Sequence, residues 1–223
     1  MKKVAVIVAG GNGIRMGGFI PKQFLILRGK PVLWHTLQTF LQSFDDLQII
    51  LVLPEEHIER GKTIVEEFEE KNRILITKGG ATRFHSVQNG LKLIDEECIV
   101  FVHDGVRCLL TTKLIQNCYE QALEKGSAIP AVTATDSIRI IDENNKPIVA
   151  DRNKIKIIQT PQTFKSSIII PAFQHNFKDS FTDEATVVEA YGKNIFLTEG
   201  EHNNIKITRP IDLNLAENIL AER

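Results

Sequence analysis

No apolar run in this chain approaches the roughly eighteen residues a membrane-crossing helix needs. Its opening, MKKVAVIVAGGNG, has too short an apolar segment and no cleavage site for a signal peptide. A soluble, cytoplasmic protein without a membrane partner is expected. Cysteine is scarce: Cys98, Cys108 and Cys118 form an odd set with no short paired spacing, which argues against both a disulfide framework and a zinc site. Free thiols are expected, with Cys108 placed nearest to charged sequence. Excess charge of either sign is also missing. Lys and Arg number 27 against 28 Asp and Glu, for a net charge of −1, so nothing suggests broad attraction to nucleic acid. The basic residues that matter must act locally. Repeats, low-complexity tracts and linkers are absent too. The 223 residues, 43% hydrophobic, are therefore expected to form one domain, 1–223, with a sizeable core.

Apolar strands alternate with helical patterns through the first half, which predicts an α/β fold, a Rossmann-like, mostly parallel sheet with helices on both faces. Strands are expected at 3–8, 48–53, 73–77 and 98–103. Pro31 opens a helix running to about Phe44. Ile58, Val65 and Phe68 share one face of a helix after Pro54, and Val87, Leu91 and Ile94 mark another. Pro210 followed by Leu213, Leu215, Ala216 and Leu220 reads as a closing helix. Residues 132–159 break the rhythm with two extended segments around a polar turn at Glu143 to Lys146, which predicts a projecting β-arm.

Val4, Val6, Ile7 and Val8 lead into Ala9, Gly10, Gly11 and Gly13, a turn whose bare N–H groups can approach an anion. Arg15 and Lys22 add fixed positive charge. The dinucleotide fingerprint does not fit: its third glycine is replaced by Met16, and no carboxylate ends a strand about twenty residues on. A dinucleotide-dependent oxidoreductase is therefore disfavoured. No Gly-Lys-Ser/Thr closes the turn, so it is not a P-loop. Asp104 falls just past an apolar strand, where open α/β sheets place their ligands, and a carboxylate there can hold magnesium or a ribose hydroxyl.

The run VAGGNGIRMGGFIPKQF, followed by GKPVLWHTL, GGATRFHSVQNGL, VHDGVR, DSI, QTPQTF, FTDEATVVEAYG and NIKITRPIDLNLAE in that order, resembles the 2-C-methyl-D-erythritol 4-phosphate cytidylyltransferase family over nearly the whole chain. That resemblance implies a fold of the nucleotide-diphospho-sugar transferase type, and transfer of CMP from CTP to methylerythritol phosphate with release of pyrophosphate. It also implies a Mg2+ cofactor and a homodimer interlocked through the arm, although a plain surface hairpin is equally open from the residues alone. Ribitol 5-phosphate cytidylyltransferases share the glycine turn, PKQF and the NIK segment, and remain the nearest alternative. A non-catalytic nucleotide-binding module is the alternative of another class.

Joining a phosphate monoester to CTP brings two polyanions together, so positioning and fixed cations should carry the catalysis, with no side-chain nucleophile. The resemblance assigns the triphosphate and its developing charge to Arg15 and Lys22. Cytosine and ribose fall to Gly79, Gly80, Ala81, Arg83 and Ser86, with Arg83 alternatively bracing the loop and Thr82 capping the helix. Asp104 serves the nucleotide or the metal, and Arg107 faces the polyol phosphate. Arg152 and Lys206 orient methylerythritol phosphate, with Arg152 serving the neighbouring subunit if arms are exchanged. Ser137 and Thr182 are candidates for hydroxyl contacts, as open to a strand or helix-cap role. Thr160 and Gln162 shape the floor, and His103 is structural. The family's usual Ala-Ala-Arg-Pro is here Gly105, Val106, Arg107 and Cys108, which removes a φ restraint beside Arg107.

Overall fold

The computed structural model describes residues 1–11 and 20–223; Gly13 and Arg15 of the glycine turn lie outside the described residues. Among the described residues, twelve strands and seven α-helices follow one another. The strands are β1 Lys2–Val8, β2 Ile26–Leu27, β3 Lys30–Pro31, β4 Leu47–Leu53, β5 Ile74–Lys78, β6 Cys98–Asp104, β7 Ser127–Thr133, β8 Ile138–Ile141, β9 Pro147–Ala150, β10 Lys156–Ile158, β11 Gln162–Lys165 and β12 Leu197–Glu199. The helices are α1 Val32–Ser43, α2 Ile58–Val65, α3 Arg83–Leu91, α4 Thr112–Lys125, α5 Ser166–Ala172, α6 Glu184–Ala190 and α7 Pro210–Ala221.

The main sheet runs in the order β10-β7-β11-β6-β1-β4-β5, with β12 also on β7. β6, β1, β4 and β5 are parallel, while β11 is antiparallel to both β6 and β7. Side chains alternate between its two buried faces, as a parallel sheet covered on both sides requires. Ala5 and Ile7 of β1 point to one face, where Leu37 of α1, Ile64 of α2 and Ile115 of α4 pack. Val4, Val6 and Val8 point to the other, against Val87 of α3, Ile169 of α5 and Val188 of α6. Gly90 lets α3 lie close to the sheet, since a Cβ there would stand 2.6 Å from Val6 Cγ1. α7 closes a third cluster around Leu27, Val106, Cys108 and Ala216.

Pro31 precedes α1 and Pro210 opens α7, each where a missing N–H costs nothing. Phe68 and Ile94 lie beyond the ends of α2 and α3, in the turns that follow, yet pack into the two cores. Leu215 is on α7 but faces outward. In the arm, β8 and β9 pair as a hairpin. Asp142 organises its turn: the carboxylate accepts the N–H groups of Asn144 and Lys146 at 2.9 and 2.8 Å. No helix among the described residues is long and apolar enough to cross a membrane.

Candidate active site

Register aligns the carboxyl ends of the four parallel strands. Val8 pairs with Val52 and Asp104, and Leu53 with Lys78. The chain then continues each ladder by one step, through Ala9 N–H to Val52 O, Gly79 N–H to Leu53 O and Gly105 N–H to Val8 O. The loops that leave this edge enclose a cleft of about 650 Å³, where the crevice outside parallel strands is expected to take a ligand.

One wall is the described part of the glycine turn, Ala9 to Gly11, with Lys22 beside it. A Cβ on Gly11 would stand 3.4 Å from Lys22 Cε, so the bare turn and the lysine stem lie against each other. Lys22 sits in a short 3-10 turn, Lys22–Phe24, and is 9% exposed. Gln23, fully buried, ties this turn back to β1: its Nε2 donates to Ala9 O at 2.9 Å.

The opposite wall is Gly79 to Ser86. Thr82 caps α3, its hydroxyl accepting the His85 N–H, and Ser86 Oγ donates to Thr82 O and accepts the Gly80 N–H at 3.0 and 3.1 Å. The N–H groups of Gly79 and Gly80 are thus engaged within the protein, and Ser86 holds the loop in shape. Gly80 has no room for a side chain, since a Cβ would come within 2.4 Å of His85 Cβ.

Asp104 closes the cleft floor at 6% exposure, ringed by cations. Arg83 Nε donates to its Oδ1 at 3.0 Å, Lys206 Nζ to Oδ2 at 2.8 Å, and Arg107 Nε lies 3.9 Å from Oδ2. Burial opposes ionisation, but Arg83 and then Lys206 outweigh it and hold this carboxyl well below the usual carboxylate range. The terminal nitrogens of Arg83 go to Glu184, a 1% exposed carboxylate at the start of α6 that burial pushes up despite its partner. Three cations thus meet two carboxylates, an arrangement suited to a polyanion.

Arg107 is turned inward. Its N–H donates to Asp104 O, and its guanidinium donates to Asn204 O at 2.8 Å. These bonds hold Arg107 itself in place, with Cys108 rather than proline after it. Asn204, buried, donates to Thr160 O at 2.9 Å and so anchors the segment that carries Lys206. Beneath the floor, His103 Nε2 faces Arg107 O at 3.2 Å and Nδ1 faces Thr160 Oγ1 at 3.0 Å. A carbonyl only accepts, so Nε2 carries the proton and Nδ1 accepts from the Thr160 hydroxyl, as a neutral imidazole does.

Burial pushes the His103 pKa down to about 3. The unfolded chain then binds the extra proton anywhere between about 6.5 and that value, so stability is full above the ordinary histidine pKa and is lost as pH falls through this window. The expected outcome is an unfolding free energy, from urea titrations, that drops from pH 7 to pH 4.5 by up to about 1.4 kcal/mol per pH unit below 6.5. A His103→Gln variant should show a shallower drop; an equal slope in both proteins would contradict the assignment.

The three remaining candidates stand away from this cleft. Arg152 is exposed at the base of the arm, donating to Thr135 O at 2.8 Å; Ser137 is exposed just before β8. Thr182 lines a separate small crevice beside Arg83 and Phe181. Cys108 is buried against α7, its thiol pushed by burial up to about 12, which leaves it no nucleophile. Sequence alone does not single out Glu184 or Lys78, and it marks Gln23 only as part of the PKQF motif. Lys78 lines the cleft and pairs with Glu55. The Asp183-Glu184 start of α6 reads locally as a helix cap, and only its partner 101 residues away in sequence reveals the buried ion pair. Among the described residues no group of three or more His, Cys, Asp or Glu is placed to hold a metal.

The family model of 2-C-methyl-D-erythritol 4-phosphate cytidylyltransferase matches residues 3–222. The protein of that name from Bacteroides thetaiotaomicron is 44% identical over 220 residues, spanning 99% of this chain and 100% of its own. The one from Porphyromonas gingivalis ATCC 33277 is 40% identical over 220 residues, spanning 98% of each. Among solved structures, 4-diphosphocytidyl-2C-methyl-D-erythritol synthase from Anaerococcus prevotii has a TM-score of 0.85 at 29% identity, covering 99% of this chain and 96% of that one. The Thermus thermophilus cytidylyltransferase has a TM-score of 0.79 at 29% identity, with both chains fully covered. Sequence, fold and cleft agree, and the chain belongs to the 2-C-methyl-D-erythritol 4-phosphate cytidylyltransferase family.

Proposed function

We propose that this protein transfers the CMP group of CTP to 2-C-methyl-D-erythritol 4-phosphate in isoprenoid precursor synthesis. The observation that carries the reading is the cation-ringed Asp104 facing Lys22 and the glycine turn across one cleft, in a chain of this family. An oxygen of the acceptor phosphate attacks the α-phosphorus of CTP, the bond to the β-phosphate oxygen breaks, and pyrophosphate leaves. The acceptor phosphate is already ionised near neutral pH, so no side chain need take a proton. Lys22, with Arg15, takes the triphosphate and the charge that develops at the α-phosphorus. The loop from Gly80 to Ser86 seats the base and ribose, and Lys206 steers the acceptor phosphate.

Asp104 fits a role with magnesium. It is ionised, and its two bonds to Arg83 and Lys206 leave lone pairs on both oxygens. Mg2+ asks for one or two carboxylates and takes its other ligands from phosphates and water. The ion supplies charge neutralisation on the phosphates when bound.

The arm supports a homodimer. Ile140, Ile148 and Val149 on its two strands are 57, 52 and 70% exposed, and an isolated hairpin is marginal in water unless something covers it. A second copy laid over the arm would bring Arg152 towards the neighbouring cleft, with Ser137 and Thr182 near the acceptor.

Phosphorus-31 NMR tests the reaction itself. Protein, Mg2+, CTP and methylerythritol phosphate should yield the two coupled doublets of an unsymmetrical diphosphate together with free pyrophosphate. Three unchanged CTP resonances would leave only a nucleotide-binding module.

A further inference from the structure

Glu184 lies behind the cleft wall, 1% exposed, and its two oxygens take the two terminal nitrogens of Arg83, Nη2 to Oε2 at 3.1 Å. This side-by-side grip fixes the plane of the guanidinium, so its Nε is delivered to Asp104 Oδ1 at 3.0 Å. The start of α6 that carries Glu184 is itself anchored. Gln162 Nε2 donates to Asp183 Oδ2 at 2.9 Å, and Gln162 Oε1 accepts the Ala185 N–H at 2.8 Å. Gln162 opens β11 and pairs with Val102, two residues before Asp104 on β6. The contacts therefore close a ring: Asp104, β6, Gln162, α6, Glu184, Arg83 and back to Asp104.

We propose that Glu184 is a positioning residue for nucleotidyl transfer, holding Arg83 against Asp104 so that neither is displaced when a triphosphate enters; this rests on the cleft acting as proposed above. The Arg83 side chain is 32% exposed on the cleft wall. Released from Glu184, its guanidinium is free to follow the incoming phosphates, and Asp104 keeps only Lys206 as a close partner. The nucleotide still binds, but out of line for attack.

The test is Glu184→Gln, which keeps the shape and removes the charge. The expected result is a fall in kcat of about 10²-fold with the KM for CTP changed by less than about threefold. Arg83→Gln and the double Arg83→Gln, Glu184→Gln variant should show the same loss rather than its product, because Glu184 acts only through Arg83. The NMR signal of the Arg83 Nε–H, assigned by its disappearance in Arg83→Lys, should move in Glu184→Gln to the position of solvent-exposed arginines. If Glu184→Gln does not fold, Glu184→Asp, which withdraws the carboxylate by one methylene, is read the same way. An unmoved Arg83 signal, a retained kcat or losses that multiply in the double variant each overturn the proposal. If the wild-type protein turns over no methylerythritol phosphate, the functional reading falls, while the Arg83 signal still decides whether Glu184 holds that side chain.

Discussion

Replacing Lys22 by alanine is expected to lower kcat for CMP transfer by about 10²–10³-fold, the size of effect seen when one preorganised donor to a developing charge is removed. Lys22 is nearly buried beside Gly11, so its ammonium meets the triphosphate in a place with little competing water, where its charge counts for more than on the surface. The charge it offsets grows at the α-phosphorus during attack, so the loss should fall on kcat more than on the KM for CTP. Lys22→Arg keeps the charge but not the compact ammonium that fits along the glycine turn, and should recover only part of the rate. Steady-state kinetics on the two variants check this. Wild-type turnover in Lys22→Ala would contradict the electrostatic mechanism, and a loss confined to affinity would favour a binding module.

The second large effect comes from mixing two inactive proteins. Arg152→Ala alone should lose most of its turnover if Arg152 orients the acceptor, although this arginine lines no part of the cleft within its own chain. When Arg152→Ala is unfolded, mixed in equal amounts with Lys22→Ala and refolded, half of the proposed homodimers should pair one of each. If the arm reaches across, one site in such a dimer has Lys22 from its own chain and Arg152 from the other. Activity should then return to about a quarter of the wild-type value. If Arg152 serves its own chain, every site keeps one defect and the mixture stays inactive.

The parallel core was readable because its strands are continuous apolar runs: those expected at 3–8, 48–53, 73–77 and 98–103 form as Lys2–Val8, Leu47–Leu53, Ile74–Lys78 and Cys98–Asp104. The far side of the sheet was not. β7 contains Pro130, which reads as a strand breaker or an edge residue. It is accommodated because it sits where pairing along β7 passes from β10 to β11, between the Ile158–Ala131 and Thr163–Ala128 pairs. β11 is four residues long and β12 three, too short for periodicity to register. α4 did carry a signal, with Leu114, Ile115, Cys118 and Ala122 on one buried face.

The same division holds in the cleft. Lys22, Asp104 and Lys206 stand out because a glycine turn, a strand end and a motif mark them locally. Glu184 acts through Arg83, 101 residues away along the chain, and no short window of sequence contains both. Gln23 and Ala9 share the glycine-turn motif, but their bond appears only once the chain is folded. The arm residues Ser137 and Arg152 are a further case, since a single chain does not bring them to the cleft at all.

The acceptor is tested by the initial rate of pyrophosphate release from CTP and Mg2+ with a single acceptor, methylerythritol phosphate in one reaction and ribitol 5-phosphate in the other. Release is expected with methylerythritol phosphate and none above background with ribitol 5-phosphate. Release with ribitol 5-phosphate alone would contradict the assigned acceptor, and release with neither would contradict the assigned chemistry.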